Sequence, residues 1–371
     1  MGRSAASHAD RSGGRSLGPR DAEPEAVAWV LTQIYDRGHV EIFVSVQEVG
    51  EVATYKSSRG VREWLERPHA HASAAVFEGE CESLLKGLKA SSVDLVVSSP
   101  PYCMGKAYEN RHDNLDDFIA NHKVILPEVC RVLKSGGSLC WQVGFHVLDG
   151  VTTPLDFLVH EVMSKIEGMK LRNRIAWTFG HGLHCQTRFS GRYETVLWYT
   201  KGEGYTFDLD AVRVPQKYPG KRHTDGPKRG QPSGNPAGKN PSDVWDIPNV
   251  NANHLEKTDH PCQFPVGLVQ RLVRALTKEG DVVLDPFCGV ASAGVAALHE
   301  KRHFIGAELD AEYVQLGLER LRATIKGEVR FRPADRAILE PSPTSIVGRR
   351  PAGFATGIEL PDAFLLHPGA S

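Results

Sequence analysis

Residues 281–298 read DVVLDPFCGVASAGVAAL, which places a strand, a glycine-rich turn and a helix in succession. The apolar run at its start has the length of a buried strand. The turn from Asp285 to Gly294 leads into an apolar helix. A further strand over 303–307 ends at Glu308, where an acid can bind the hydroxyls of a ribose. This order predicts an α/β fold of the Rossmann type, with a nucleoside bound at the glycine turn.

The spacing Gly289-x-Ala291-x-x-Gly294 is similar to a dinucleotide-binding fingerprint, with alanine in place of the middle glycine. That glycine normally lets the backbone approach a pyrophosphate. A methyl group at Ala291 therefore argues against NAD, and it matters less for a nucleoside without phosphates.

A second strand and loop occur earlier in the chain. The β-branched and apolar residues 92–97 lead into Ser99-Pro100-Pro101-Tyr102. Neither proline has an N–H, so the chain leaves the sheet as a stiff loop with a hydroxyl, carbonyls and an aromatic face. Such a loop can hold a flat ring with an exocyclic amine: the amine donates to the hydroxyl and to a carbonyl, and the ring stacks on the tyrosine. An ordinary Pro-Pro turn after a buried strand is the alternative.

Together these motifs resemble those of the N4-cytosine/N6-adenine DNA methyltransferases. That family holds the amine with [D/N/S]-P-P-[Y/F/W], which residues 99–102 match. Its cofactor motif is D-P-F-x-G-x-G-[T/S], which residues 285–292 match apart from Ala291. The order, with the catalytic motif first, is that of the family's β group. Residues 260–265 resemble its H-P-x-Q-x-P motif, and residues 304–308 resemble its ribose motif.

The resemblance implies a methyltransferase fold with a mostly parallel sheet, an antiparallel pair at one edge and helices on both faces. It implies S-adenosylmethionine as the cofactor. The implied catalytic residues are Ser99, Pro100, Pro101 and Tyr102. The implied cofactor-binding residues are Asp285, Pro286, Phe287, Gly289, Ser292, Glu308, Glu80 and His260. For Glu80 an equal alternative is that it caps the following helix through the helix dipole.

The resemblance leaves the modified base open. In the family, Asp or Asn is more frequent at the first motif position of adenine enzymes, and Ser of cytosine enzymes. Ser99 therefore favours N4 of cytosine slightly, with N6 of adenine as the alternative. An RNA or protein amine methyltransferase and an inactive DNA-binding relic are further alternatives. An NAD-dependent oxidoreductase is disfavoured by the motif order and the Pro-Pro loop.

A strongly basic segment lies between the two motifs. Residues 213–239 contain seven basic residues and one acidic residue, for a net charge of +6, among many prolines and glycines. Lys and Arg contact phosphates, so the segment indicates target recognition on double-stranded DNA; the alternative is a solvated basic loop. The predicted DNA-binding residues are Arg188, Arg192, Lys217, Lys221, Arg222, Lys228 and Arg229. A cognate restriction endonuclease acting separately is a further expected partner.

Composition restricts the class of protein. With 371 residues, 41% of them hydrophobic and 24% charged, the chain is typical of a globular protein, and its net charge of −1 requires any basic surface to be local. No apolar run reaches the ~20 residues of a membrane span. The seven widely spaced cysteines favour reduced thiols in a prokaryotic cytosol. A metal site at His181, His184 and Cys185 is rejected, because a fourth ligand at suitable spacing is missing.

The chain divides into six predicted segments. They are a disordered tail (1–25), an add-on element without an assigned role (26–73), the catalytic half (74–210), the basic insert (211–245), the S-adenosylmethionine-binding half (246–330) and a poorly ordered tail (331–371). Within the add-on element, residues 25–35 are expected to be helical and residues 40–46 a strand. The antiparallel pair of the sheet is expected over residues 174–179 and 193–200.

Overall fold

A central sheet with helices on both faces organises the chain. The computed structural model describes residues 27–36, 39–48, 50–102, 114–180, 182 and 184–336. Its strands are β1 (Val27–Asp36), β2 (His39–Glu48), β3 (Val52–Tyr55), β4 (Ala74–Glu78), β5 (Val93–Ser98), β6 (Leu133–Val143), β7 (Phe145–Leu148), β8 (Val151–Pro154), β9 (Met169–Thr178), β10 (Tyr193–Lys201), β11 (Val244–Asp246), β12 (Val282–Asp285) and β13 (His303–Glu308). Its helices are α1 (Ser58–Glu66), α2 (Cys81–Gly87), α3 (Leu115–Val132), α4 (Leu155–Met163), α5 (Val266–Leu276), α6 (Ser292–His299) and α7 (Ala311–Ile325).

The central sheet has nine strands in the order β11-β9-β10-β6-β5-β12-β13-β4-β3. Strand β10 runs antiparallel to β6 and β9, and the other neighbouring pairs are parallel. The predicted mostly parallel sheet with an antiparallel pair is therefore confirmed. One detail differs: the pair is not outermost, because β11 adds a short strand beside β9.

The two strands that carry the sequence motifs are neighbours in the middle of the sheet. Leu95 of β5 lies beside Val283 of β12, and Val96 beside Leu284. From this point the sheet continues in one direction through β6 and in the other through β13. The carboxyl ends of parallel strands form a crevice where the strand order reverses, and ligands of open α/β sheets bind there.

Alternating side chains of the central strands supply two hydrophobic cores. Leu95, Val97 and Val283 pack in the core that contains the apolar faces of α5, α6 and α7. Val96 and Leu284 point to the other face and pack with α1, α2, α3 and α4. This period of two buries the strands on both sides, as expected of a parallel sheet between two helical layers.

The helix predicted over residues 25–35 is wrong. Val27–Asp36 is the strand β1, and it pairs antiparallel with β2 from Val27 opposite Glu48 to Asp36 opposite His39. The two strands are separated by Arg37-Gly38, a two-residue connection with glycine that suits a hairpin better than a helix. The strand predicted over residues 40–46 is confirmed as part of β2.

The rest of the segment 26–73 is built into the central fold. Strand β3 pairs with β4 and forms an edge of the sheet. Val61 and Trp64 of α1 are fully buried in the core of the second helical layer. Neither β3 nor the β7–β8 hairpin was anticipated, because four-residue strands carry too little periodicity to be read from sequence.

The last described residues pack against the domain. The ring of Phe331 lies 4.8 Å from that of His299, and the backbone N–H of Arg332 donates to Glu256 Oε1 at 2.9 Å. Residues 336–371 form a separate unit, of which only Arg336 is described. In the described part of the chain, none of the helices is long and apolar enough to cross a membrane.

Candidate active site

A buried hydrogen bond joins the ends of the two central strands. The Ser98 hydroxyl at the end of β5 donates to Asp285 Oδ1 at the end of β12, at 2.6 Å. The same carboxylate oxygen accepts from the Phe287 backbone N–H at 3.1 Å. The other oxygen, Oδ2, is buried with no hydrogen-bond partner among the described residues. The catalytic loop and the cofactor loop therefore leave the sheet from one fixed point.

Above this point lies a cavity of about 820 Å³, a volume in the range of small-molecule sites. Its wall contains every predicted catalytic residue: Ser99, Pro100, Pro101 and Tyr102. Seven of the eight predicted cofactor residues also line it: Glu80, His260, Pro286, Phe287, Gly289, Ser292 and Glu308. The eighth, Asp285, is fully buried directly beneath them.

Tyr102 is held by two polar side chains that the sequence analysis did not identify. Gln142 Nε2, at the end of β6, donates to the Tyr102 hydroxyl at 2.7 Å and also to Glu194 Oε2 on β10. The Tyr102 hydroxyl lies 3.4 Å from the same Glu194 oxygen. A Cβ at Gly144 would come within 3.2 Å of Glu194 and 3.3 Å of Tyr102, so the absence of a side chain there permits this close approach.

The signal for this cluster was partly present in the sequence. Gln142 interrupts the apolar strand 139–143, and it is 2% exposed. A lone amide at the end of a buried strand indicates a polar function. The pairing of Glu194 with it depends on β10 lying beside β6, which no local pattern shows.

The cofactor loop is shaped by a glycine with positive φ. Gly289 has φ of +49°, and its N–H donates to Glu308 Oε2 at 3.0 Å. A Cβ at this position would lie 3.1 Å from His260 Nε2. Glycine thus meets two requirements here, because the backbone is left-handed and the histidine ring lies against it.

Ala291 takes the left-handed conformation that the family motif normally gives to glycine. Its φ and ψ are +58° and +40°, and it is fully buried. Its methyl group faces α7, since a Cβ at Gly317 would meet it at 3.4 Å. Ala291 is not among the residues that line the cavity. The departure from the motif therefore adds backbone strain without filling the cofactor space.

Two carboxylates give the cavity its electrostatic character. Burial, with a smaller contribution from nearby Glu308, raises the pKa of Asp285 to about 7. Burial also raises the pKa of Glu308, whose carboxylate accepts from the backbone N–H groups of Gly289 and Asp310. One buried and one half-buried acid with raised pKa values fit a ligand that brings positive charge.

The remaining cofactor-side residues are neutral or paired. Burial lowers the pKa of His260 to about 4, helped by Lys257 and Arg320, so its ring is uncharged at neutral pH. The Ser292 hydroxyl accepts from Arg320 Nη1 at 3.2 Å, which ties the start of α6 to α7. Glu80 is the residue before α2, but its side chain caps no backbone N–H there and instead faces the cavity.

Three further residues on the wall were not predicted. Trp177 and Phe179 at the end of β9 lie edge to face at 5.2 Å between ring centres. Asn249, after β11, has a buried amide oxygen without a partner among the described residues. These side chains place two aromatic rings and an amide at the end of the cavity that belongs to β9 and β11.

The predicted DNA-binding residues lie outside the cavity. Arg188 and Arg192 belong to the loop between β9 and β10; Phe179 at the start of this loop and Glu194, the second residue of β10, are both in the cavity wall. The basic insert is exposed and folds back on itself, with bridges from Val214 to Lys239 and from Arg222 to Pro232. Its exposed predicted contacts are Lys217, Lys221, Arg222, Lys228 and Arg229.

The metal interpretation gains no support from the described residues. No group of three or more His, Cys, Asp or Glu side chains among them could hold an ion. His181, which was considered with His184 and Cys185, lies outside the described residues.

The fold, the paired strand ends and the acidic nucleoside-sized cavity define an S-adenosylmethionine-dependent methyltransferase. The sequence profile of the N6/N4 DNA methylases matches residues 93–319, which cover more than half of the chain. The chain therefore belongs to this family of DNA methyltransferases, which act on an exocyclic amine of adenine or cytosine and use S-adenosylmethionine as cofactor.

Individual relatives agree with this assignment. The chain is similar to the Type II methyltransferase M.BglII of Bacillus subtilis, with 43% identity over 245 residues, 66% of this chain and 68% of that protein. It is 30% identical to the DNA adenine methyltransferase YhdJ of Escherichia coli strain K12 over 253 residues, 66% of this chain and 82% of that protein. The solved structure of PvuII DNA methyltransferase (cytosine-N4-specific) shares its fold, with a TM-score of 0.53, 21% identity and coverage of 69% of this chain and 93% of that chain.

Proposed function

We propose that this methyltransferase modifies N4 of a cytosine flipped out of double-stranded DNA, with N6 of adenine as the alternative. The observation that carries the proposal is the shared cavity: Ser99, Tyr102 and Gly289 line the same space above the ends of β5 and β12. A base held on the first two and a nucleoside held at the third would face each other across it.

The cofactor's place is supported by the chemistry of the residues present. When bound, S-adenosylmethionine supplies an electrophilic methyl group on a sulfonium. The Glu308 carboxylate would accept hydrogen bonds from the ribose hydroxyls of the cofactor. Because Gly289 has no side chain, its backbone would leave room for the nucleoside beside His260. The carboxylate of Asp285, beneath the floor, and that of Glu308 would offset the positive charge. Pro286, Phe287, Ser292 and Glu80 would complete the pocket.

The catalytic loop would act by positioning the amine. The lone pair of an exocyclic amine is delocalised into the ring, so the amine is a weak nucleophile. In our proposal the Ser99 hydroxyl and the Pro100 carbonyl accept its two hydrogens and turn the lone pair toward the methyl group. Tyr102, fixed by Gln142 and Glu194, stacks on the ring. Alignment of two reactants supplies roughly 7–11 kcal/mol of a barrier, so no strong base is needed before attack. The amine nitrogen would bond to the methyl carbon as the carbon–sulfur bond breaks, which would leave the uncharged thioether S-adenosylhomocysteine, and the methylated amine would then lose a proton to water.

In this proposal the two prolines of the loop provide no competing donor and support the side chains of Ser99 and Tyr102. Pro101 lacks an N–H, as Pro100 does, so no backbone donor competes with the amine for the acceptors. Pro100 is buried whereas Ser99 and Tyr102 are partly exposed to the cavity. The buried Pro100 would therefore support a loop that exposes the Ser99 hydroxyl and the Tyr102 ring to the cavity.

The choice between bases depends on Ser99. A hydroxyl at the first motif position favours cytosine slightly in the family, whereas the relative YhdJ is named a DNA adenine methyltransferase. Expression in a methylation-free bacterial host, followed by sequencing that reports modified bases, tests both. The proposal expects N4-methylcytosine at one short sequence. N6-methyladenine there would select the alternative, and unmodified DNA with methylated RNA or protein would overturn the function.

Recognition of the DNA is proposed for the basic segments. Lys217, Lys221, Arg222, Lys228 and Arg229 would contact phosphates from the insert, and Arg188 and Arg192 from the β9–β10 loop. The insert residues and Arg188 are exposed, Arg192 is half-buried, and the β9–β10 loop begins at Phe179 in the cavity wall, which supports this arrangement. A cognate endonuclease in the same prokaryotic cytosol would cut the unmodified sequence.

A further inference from the structure

The most exposed large apolar side chain in the described part of the protein is Phe189, at 98%. It belongs to the β9–β10 loop between two predicted DNA-binding arginines, Arg188 and Arg192. A fully solvated phenyl ring is unfavourable by the transfer free energy of its surface. A single exposed apolar side chain is ordinary on a protein surface, but this ring stands between two arginines in a loop that begins beside the cavity wall.

The loop is braced so that Phe189 stays outside. At its base the Phe179 N–H donates to the Arg192 carbonyl at 3.0 Å. Nearer the tip, the Cys185 N–H donates to Ser190 Oγ at 3.1 Å. Every one of these braces uses a residue other than Phe189, so the ring is presented outward by a supported loop.

A third support comes from the β7–β8 hairpin. The ring of Phe145 on β7 lies so close to Gly191 that a Cβ on the glycine would meet it at 2.5 Å. The guanidinium of Arg188 lies 6.0 Å from the centre of the same ring. Gly191 and Arg188 therefore lie against the Phe145 ring, while the Phe189 side chain stays 98% exposed.

The position of the loop favours one partner. Phe179 at its start and Glu194, the second residue of β10 after it, belong to the cavity wall, so the loop begins and ends beside the site. Aromatic rings and arginines are also common at protein–protein interfaces. Here they belong to a loop beside the proposed base pocket, so the partner we argue for is a DNA duplex: the arginines suit its phosphates and the ring suits its stacked bases.

We propose that Phe189 is a wedge that enters the base stack and fills the space left by the flipped target nucleotide. This inference rests on the proposed function, because it presupposes that a paired base is extruded into the cavity. Flipping a paired base requires unstacking and unpairing, and apolar side chains inserted between bases are a known physical means of offsetting that loss. Phe189 would thus act on the DNA and leave the reacting atoms to the Pro-Pro loop.

The test compares two duplexes that differ in the free energy needed to flip the target base out of the helix. Both carry the sequence that modified-base sequencing identifies; in one the target base is normally paired, and in the other it lies opposite an abasic site. For Phe189→Ser we expect kcat/KM to fall about tenfold or more on the paired duplex and less than about twofold on the abasic one. Phe189→Leu, which keeps an apolar wedge, should retain most activity on both. The affinity for S-adenosylmethionine should not change.

A direct readout and a matched control complete the experiment. With 2-aminopurine at the target position, the wild type should raise its fluorescence on binding, and Phe189→Ser should raise it much less. Phe157→Ser is the control, since Phe157 is also exposed, at 62%, but lies on α4. Equal behaviour of wild type and Phe189→Ser, or an equal loss on both duplexes, would overturn the wedge. A wild type inactive on both duplexes would instead overturn the proposed function.

Discussion

The Ser98 hydroxyl and the Asp285 carboxylate, 187 positions apart in the sequence, form a 2.6 Å hydrogen bond in the centre of the sheet. Both residues are fully buried, and each immediately precedes a loop that lines the cavity. The bond therefore couples the catalytic half of the domain to the cofactor half. Ser99, the residue after Ser98, lines the cavity, so we expect Ser98 to have a structural role and Ser99 a role in the reaction.

Replacing each serine by alanine should separate these two tasks. Ser98→Ala removes a hydrogen bond to a buried carboxylate and should lower the free energy of unfolding by about 1–3 kcal/mol. The loss should be larger at about pH 8 than at about pH 6, because Ser98 helps to keep the Asp285 carboxyl ionised. Urea denaturation at both values measures it.

Ser99→Ala is the matched variant. Its hydroxyl is partly exposed to the cavity, so stability should change by less than about 0.5 kcal/mol. Single-turnover methyl transfer should slow about tenfold, the effect of removing one hydrogen bond to the amine. If instead Ser99→Ala were the destabilising variant, the division of tasks would be reversed.

The buried acids predict a pH dependence of cofactor binding. Burial raises the pKa of Asp285 to about 7, so the carboxyl is mostly protonated at about pH 6 and mostly ionised at about pH 8. A sulfonium binds better beside an ionised carboxylate, so affinity for S-adenosylmethionine should rise across this interval, up to roughly tenfold for each pKa unit that binding shifts. Titration calorimetry measures it.

S-adenosylhomocysteine is the matched ligand, since it has the same amino acid and nucleoside but no sulfonium. Its affinity should rise less with pH, and Asp285→Asn should weaken the rise for S-adenosylmethionine. Without ligand, the raised pKa has the opposite consequence for folding: the contribution of Asp285 to stability is present below about pH 4 and is lost as the pH rises through about 7. A steeper dependence for the homocysteine product would contradict this account.

The two central loops could be predicted from sequence because their signals are local. Apolar runs, paired prolines and glycines at fixed spacing indicate strands and turns without knowledge of the neighbours. The cluster of Tyr102, Gln142 and Glu194 could not be predicted, because it depends on β10 lying beside β6. In the N-terminal hairpin only β1 was predicted wrongly, as a helix, because its pairing with β2 was not considered.

Tyr102 offers a test of how the ring is positioned. Tyr102→Phe keeps the stacking surface but removes the hydroxyl that accepts from Gln142. We expect about a tenfold loss in kcat with unchanged affinity for S-adenosylmethionine. Tyr102→Ala and Pro100→Ala should abolish turnover and also leave cofactor binding largely intact. Equal loss of cofactor binding in both alanine variants would contradict their assignment to the base side.

Ala291 tests whether the altered cofactor motif limits binding. Ala291→Gly relieves a left-handed conformation that costs about 1–2 kcal/mol for a residue with a Cβ. The greater freedom of glycine in the unfolded chain offsets about 0.4–1 kcal/mol of that gain. Stability should therefore rise by up to about 1.6 kcal/mol. Cofactor affinity should change by less than about twofold, since the methyl group faces Gly317. A large gain in affinity would mean that the methyl group restricts the cofactor space.

Contacts between the basic insert and phosphates should make the affinity for DNA depend on salt concentration. Lys228 and Arg229 are exposed, and replacing both by Gln should raise KM for DNA several-fold at physiological salt. Every phosphate that is no longer neutralised should lower the slope of log affinity against log salt concentration by about 0.9, so the slope of the double variant should fall by up to about 1.8.

Lys165→Gln is the control, because that lysine is also exposed but pairs with Glu161 on α4. Binding measured from low to moderate salt decides the matter: an unchanged slope would show that the insert is a solvated basic loop, and a slope changed equally by Lys165→Gln would show a general effect of net charge.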